Sequence, residues 1–253
     1  MANPSFAKRT YKLQNAIVRE LNNAHIFLEQ TVPVLDDAKS AYGRSKSKKD
    51  KRYYVPSTKK GKFAKRTDVE LKTIYDQYLN SGLYESFLVS LVARFEWFLA
   101  DVLTDFLSHY PLRITEKFNG VPSAEKIEVR VLLESADKND LVRRVISGHV
   151  SNVFRQRPSI YMAYISGMIG TKEDPCFTDF FEISATRDLV VHNSRVANEI
   201  YLTKSRDKAR ATIGDQVAVD DRYFAHCIAA MKRVSGALKR DIEVKYGGKA
   251  QKV

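Results

Sequence analysis

The sequence predicts an all-α protein, a bundle of helices. Three observations point there. Apolar residues recur at intervals of three, four or seven over 5–30, 83–109, 139–154 and 220–246, the spacing of one helical face. Start and stop signals bracket such runs: Asp174-Pro175 opens one, Pro111 stops one and Gly247-Gly248 ends another. Only Ile127, Val129, Val131 and Leu133 alternate as a strand does. Ser123 and Glu125 suit a helix start equally well, and the neighbouring segments are helical, so 112–137 is assigned to helix too.

In chain order, the first helix presents Phe6, Leu13, Ile17, Leu21, Ala24 and Leu28 on one face, and Pro33 is expected to end or kink it. Residues 43–66 carry Gly43, Pro56, Ser57 and Gly61. They read as a loop with room for a short hairpin through Tyr53 to Val55. Thr67 or Asp68 caps a short helix over 68–79 that Ser81-Gly82 should break. The strongest helix spans 83–109, with Phe87, Leu88, Leu91, Val92, Phe95, Phe98, Leu99, Val102, Leu103 and Phe106 as its stripe and Glu96, Asp101 and Asp105 between. Asn139 caps the next helix, Pro158 to Met168 forms another, and Gly167 and Gly170 close it. Asp174 as N-cap and Pro175 at the first helical position begin the segment that holds Arg187 to Asn193, whose end Asn193-Ser194 either interrupts or leaves open toward Ile200. A polar link over 203–219 leads to a last helix from about Asp220 to Tyr246, with Met231 in its core stripe. The resulting division is an N-terminal helix over 1–42, a basic loop over 43–66, a helical domain over 67–248 and a tail over 249–253.

Composition bounds the function. With 253 residues, 44% hydrophobic, the chain can bury a proper core. No apolar run approaches the ~20 residues of a membrane span, and Met1 to Tyr11 lacks the apolar centre of a signal peptide, so a cytoplasmic protein with no membrane partner is expected. Cys176 and Cys227 have no near cysteine or metal-ligand spacing; buried thiols are expected rather than a disulfide or a metal site. The net charge of +12 is local: from Arg44 to Arg66 there are eleven Lys or Arg and one acid, Asp50. Lys48, Lys49, Lys51, Arg52, Lys59, Lys60 and Lys62 are interleaved with Tyr53, Tyr54 and Phe63. Cations among aromatics suit a nucleic-acid backbone with stacked bases; a solvated loop that aids solubility is the competing explanation.

The most informative stretch is Arg187-Asp188-Leu189-Val190-Val191-His192-Asn193. In a helix Arg187 and His192 lie about 140° apart, on neighbouring faces. Asp188 and His192 are four residues apart and so within reach of one another. At Arg187, Asp188 and His192 the sequence resembles the HEPN superfamily, whose ribonuclease members carry an Arg, then Asn, Asp or His, then three or more residues, then His. The resemblance implies a core of four to five helices, here within 67–248 and preceded by extra N-terminal helices. It implies a metal-independent endoribonuclease, often a toxin or phage-defence factor, with no cofactor and a composite site in a homodimer. An antitoxin or regulatory partner is a further implication.

On that resemblance Arg187 and His192 are the catalytic pair, with Asp188 and Asn193 supporting them. An imidazole can take the proton of a ribose 2′-hydroxyl, and a guanidinium can stabilise the charge growing on the phosphate. His192 follows two valines, so a partly buried polar cluster is expected around it. The alternative is a non-catalytic nucleic-acid-binding or regulatory module of the same fold, in which the basic loop binds and Arg187 and His192 only structure an interface. A helical interaction protein without a nucleic-acid partner is the third reading.

Overall fold

The computed structural model describes residues 4–58, 61–122 and 126–247. Lys59, Lys60, the expected helix start at Ser123 and Glu125, and the tail 249–253 lie outside the described residues. The described residues form nine α-helices and one hairpin: α1 (Pro4–Arg44), β1 (Lys51–Tyr54), β2 (Phe63–Arg66), α2 (Asp68–Gln77), α3 (Leu83–His109), α4 (Val129–Glu134), α5 (Lys138–Phe154), α6 (Pro158–Ile169), α7 (Phe177–His192), α8 (Glu199–Ser205) and α9 (Asp221–Tyr246). The all-α prediction holds, and the one sheet among the described residues is the antiparallel pair β1–β2. No helix among the described residues is long and apolar enough to cross a membrane.

α3 is the central element because its apolar stripe is wide enough to serve several neighbours. It packs against α1, α5, α7 and α9. Leu88, Val92, Phe95, Leu99, Val102 and Leu103 are wholly buried on it, and Phe95 meets Phe180 of α7 with ring centroids 4.9 Å apart. At the far end Phe6 of α1, Phe106 of α3 and Tyr246 of α9 form one aromatic cluster. Such a cluster ties the first and last helices to the central one through tilted and edge contacts, the favoured aromatic geometries. Met231 is buried, as its place in the α9 stripe predicts.

Several boundaries differ from the sequence prediction, each for a local reason. Pro33 does not end α1, which runs on to Arg44. Pro33 is exposed, so the carbonyl its ring leaves unpaired sits on the face open to water. Beyond it, Tyr42 packs on Tyr75 of α2 and Lys39 pairs with Asp36 and Asp76. Ser81-Gly82 does not break the chain either: a π-helical turn, Tyr78–Gly82, carries α2 straight into α3. The basic segment is more ordered than a loop: β1 and β2 pair as a hairpin, and Tyr53 and Tyr54 of the expected hairpin stretch lie within β1 while Val55 follows it. Among the described residues of 112–137, only α4 and a 3-10 turn at Pro111–Thr115 are regular, so the helix seen there has six residues. Asp137, not Asn139, caps α5, accepting from the Asp140 amide at 2.8 Å. Asp174 caps a turn rather than a helix: it accepts from the Cys176 amide, and α7 begins at Phe177. The link over 203–219 is partly regular, since α8 runs to Ser205 and a 3-10 turn follows. Cys227 is buried, but Cys176 is only half-buried, its thiol pushed up to about 12 chiefly by desolvation.

Candidate active site

α7 ends at His192, so Asn193-Ser194 is an interruption. The end is sharp because Ser194 and Arg195 both adopt positive φ, and the amides of Asn193 and Arg195 both donate to the Leu189 carbonyl. Neither residue is glycine, so the turn is held from outside. Arg195 Nε pairs with Glu85 Oε1 of α3 at 3.1 Å, and Val196 bridges Gln216. The Asn193 side-chain amide donates to the Val196 carbonyl and is thereby committed to the turn.

Arg187 points toward α3. Its Nη2 donates to both carboxylate oxygens of Glu96, each at 3.1 Å. The Tyr161 hydroxyl of α6 donates to the same carboxylate at 3.2 Å. Burial pushes the Glu96 carboxyl above its ordinary value, with Arg187 and Tyr161 pulling it back. Tyr161 is held well above its ordinary value by burial and then by Glu96, so it stays a donor. Arg187 Nε lies 3.4 Å from Asp188 Oδ1, while Nη1 makes no hydrogen bond among the described residues.

Asp188 does not orient His192. Its other oxygen takes the Lys204 ammonium of α8 at 2.7 Å, so it bridges Arg187 and Lys204. His192 is exposed rather than half-buried, and it makes no hydrogen bond or ion pair among the described residues. The reason is its place: the last residue of a helix projects past the core that buries Leu189. Asp188, His192, Asn193, Asn198, Tyr201 and Lys204 line one cleft of about 350 Å³ between α7 and α8. The structure therefore brings His192, Asp188 and Asn193 to one cleft and places Arg187 on the neighbouring face of the same helix, with Asp188 between.

Two groups in this arrangement are not singled out by the sequence. Glu96 stands within an apolar stripe, a position that asks for a buried cationic partner, but nothing in the sequence says which cation. Lys204 lies in a segment that reads as a polar link. What sets Lys204 in place is a buried carboxylate, Glu182 of α7. It accepts from the Thr186 hydroxyl at 2.7 Å, the Tyr201 hydroxyl at 3.0 Å, Arg210 Nε at 2.9 Å and the Tyr223 hydroxyl at 2.7 Å. A carboxylate out of water is tolerated only when saturated in this way, and here the donors come from α7, α8, α9 and the strand-like link before α9. α8 is thus fixed against α7, and with it the far wall of the cleft.

The predicted nucleic-acid ligands separate into two groups. Lys51 is engaged by the body: its Nζ meets Asp68 Oδ1 at 2.6 Å and lies over the Tyr42 ring. Lys48, Lys49, Arg52 and Lys62 are exposed. No protein-family model, curated protein or solved structure matches this chain.

Proposed function

We propose that the chain is a metal-independent endoribonuclease of the HEPN type that acts as a homodimer. The observation that carries the proposal is the exposed His192 imidazole, without a hydrogen bond or ion pair among the described residues, at the rim of a cleft with Lys204, beside an Arg187 whose Nη1 makes no hydrogen bond among those residues. Neutral His192 takes the proton of a ribose 2′-hydroxyl. The freed oxygen attacks the adjacent phosphorus, the bond to the 5′-oxygen breaks, and that oxygen takes up a proton from water. The products are a 2′,3′-cyclic phosphate and a 5′-hydroxyl. Glu96 positions the guanidinium through Nη2, which leaves Nη1 for a phosphate oxygen as charge grows there. Asp188 bridges Lys204 and Arg187 and offsets the repulsion between the two cations. Because Arg187 and His192 occupy neighbouring faces, a second copy bringing its own motif across α7 supplies the composite site. The exposed cations of 44–66 draw in the RNA backbone, and cleavage serves a toxin or defence role held in check by an antitoxin or other regulatory partner.

The test is the chemistry of the product ends. Purified protein with tRNA or total RNA in chelator should leave cyclic-phosphate and 5′-hydroxyl termini. Termini with 5′-phosphates, or cleavage that stops in chelator, would refute the mechanism. A second reading, a non-catalytic nucleic-acid-binding module, is favoured by one observation: Glu96 and Tyr161 give Arg187 a structural task of its own. Salt-sensitive RNA binding without cleavage would support it.

A further inference from the structure

We infer that the outer face of the β1–β2 hairpin is a stacking platform for single-stranded RNA, built from Arg52, Tyr54, Phe63 and Lys65. Side chains alternate between the two faces of a strand, and cross-strand partners share a face. The register pairs Lys51 with Arg66, Arg52 with Lys65, Tyr53 with Ala64 and Tyr54 with Phe63. One face therefore carries Lys51, Tyr53, Ala64 and Arg66. That face carries the tie to the body: Lys51 is bonded to Asp68 of α2 and Ala64 and Arg66 are partly buried, while Lys51 and Tyr53 keep part of their surface in water. The other face carries two cations and two aromatics, and all four are exposed.

The composition of that face identifies its occupant. Tyr54 is 85% exposed and Phe63 40% exposed, side by side across the ladder. Flat aromatic rings left in water at such exposure suit the faces of unpaired bases, which stack on them whatever their identity. The Arg52 guanidinium lies over the Phe63 ring, 4.8 Å from its centroid, so cation and platform are presented together. Among the described residues Lys65 has one ion pair, a 3.9 Å contact to Asp50, a half-exposed pair that a phosphate can replace. The surrounding segment from Arg44 to Arg66 has eleven cations against one acid, the sign that complements a polyanion. A duplex hides its base faces, so the platform selects single strands. The choice of RNA rests on the ribonuclease proposal; the stacking geometry stands apart from it.

The probe is a labelled 2′-O-methyl oligoadenylate of about 12 nucleotides, within the site size of single-strand binders. It has no 2′-hydroxyl to attack, so binding is read independently of cleavage. The full-length protein should bind it, and Tyr54→Ala with Phe63→Ala should weaken binding roughly tenfold or more per aromatic. Arg52→Gln with Lys65→Gln should reduce the slope of log affinity against log salt by about 1.4, two phosphate contacts on a single strand. An abasic strand of equal length should bind like the aromatic double variant. The four side chains face solvent, so unchanged melting of every variant is expected and checks the fold. Equal binding by the aromatic variant and the parent, or binding to the matched duplex as tight as to the single strand, would overturn the proposal. Either result leaves the cleavage mechanism untouched, and failure of cleavage leaves this binding result standing.

Discussion

Arg187 and His192 sit five residues apart, yet they stand in opposite physical situations. Arg187 holds a half-buried carboxylate of α3, whereas His192 has no hydrogen bond or ion pair among the described residues. Their substitutions should therefore separate. Arg187→Ala leaves Glu96 without its cation and should cost about 1.5–3 kcal/mol in urea unfolding, the range for a hydrogen bond to a charged group. Removing Glu96 as well should cost less than the sum, since the two share one interaction. His192→Ala should change stability by less than about 0.5 kcal/mol, as exposed positions do. If Arg187→Ala is as stable as the parent, the Glu96 contact does not bear on the fold. The consequence for activity is practical: loss of cleavage in Arg187→Ala mixes a structural with a chemical effect, and loss in His192→Ala does not. The Arg–Asp–x3–His spacing is legible in the sequence because it is local. The exposure of His192 is not, because two preceding valines suggest burial while the helix end carries the next residue out past the core.

At the scale of elements, two ties position the functional surfaces. The first is Glu182, which joins α7, α8 and α9 through four donors. Glu182→Ala strands those donors and should cost about 3–5 kcal/mol, the range for breaking a buried charged pair. A loss under about 1 kcal/mol would mean that α8 is held by its apolar contacts alone. The second tie is Lys51 with Asp68, which docks the hairpin on α2. Hydrogen bonds from Lys51 and then Ser45 hold the Asp68 carboxyl below its ordinary value of 3.8. A lowered carboxyl stabilises the docked hairpin fully above the ordinary value and loses that stabilisation as pH falls through the folded one. Amide exchange in β1 and β2 should accordingly be faster in Asp68→Asn than in the parent at neutral pH, and the two should converge in acid. A constant difference down to low pH would contradict that assignment. The long helices were legible because α3 and α9 carry unbroken stripes over many turns. α8 and the hairpin were not: seven or four residues are too few for a period to show, and their placement comes from Glu182 and Asp68, contacts distant in sequence or dependent on the fold.

For the molecule as a whole, charge and apolar surface are divided between regions. The core that unites α1, α3, α6, α7 and α9 is apolar and aromatic, while the excess positive charge stands on one hairpin and its flanks. Helical class follows from periodicity alone, but the order of packing does not, since Pro33 and Ser81-Gly82 read as breaks until α1 and α2 are seen braced by Tyr42 and Tyr75. The proposed homodimer makes a prediction at this scale: sedimentation should give twice the mass of the chain, and a strictly monomeric protein that still cuts RNA would remove the need for a composite site. The most direct measurement is the single-turnover rate of cleavage of a labelled RNA in chelator, for the parent and for His192→Ala at equal stability. The proposed proton transfer predicts a loss of about 10²–10⁴-fold in the variant. An unchanged rate would contradict the assignment of His192, and with it the ribonuclease mechanism built on this cleft.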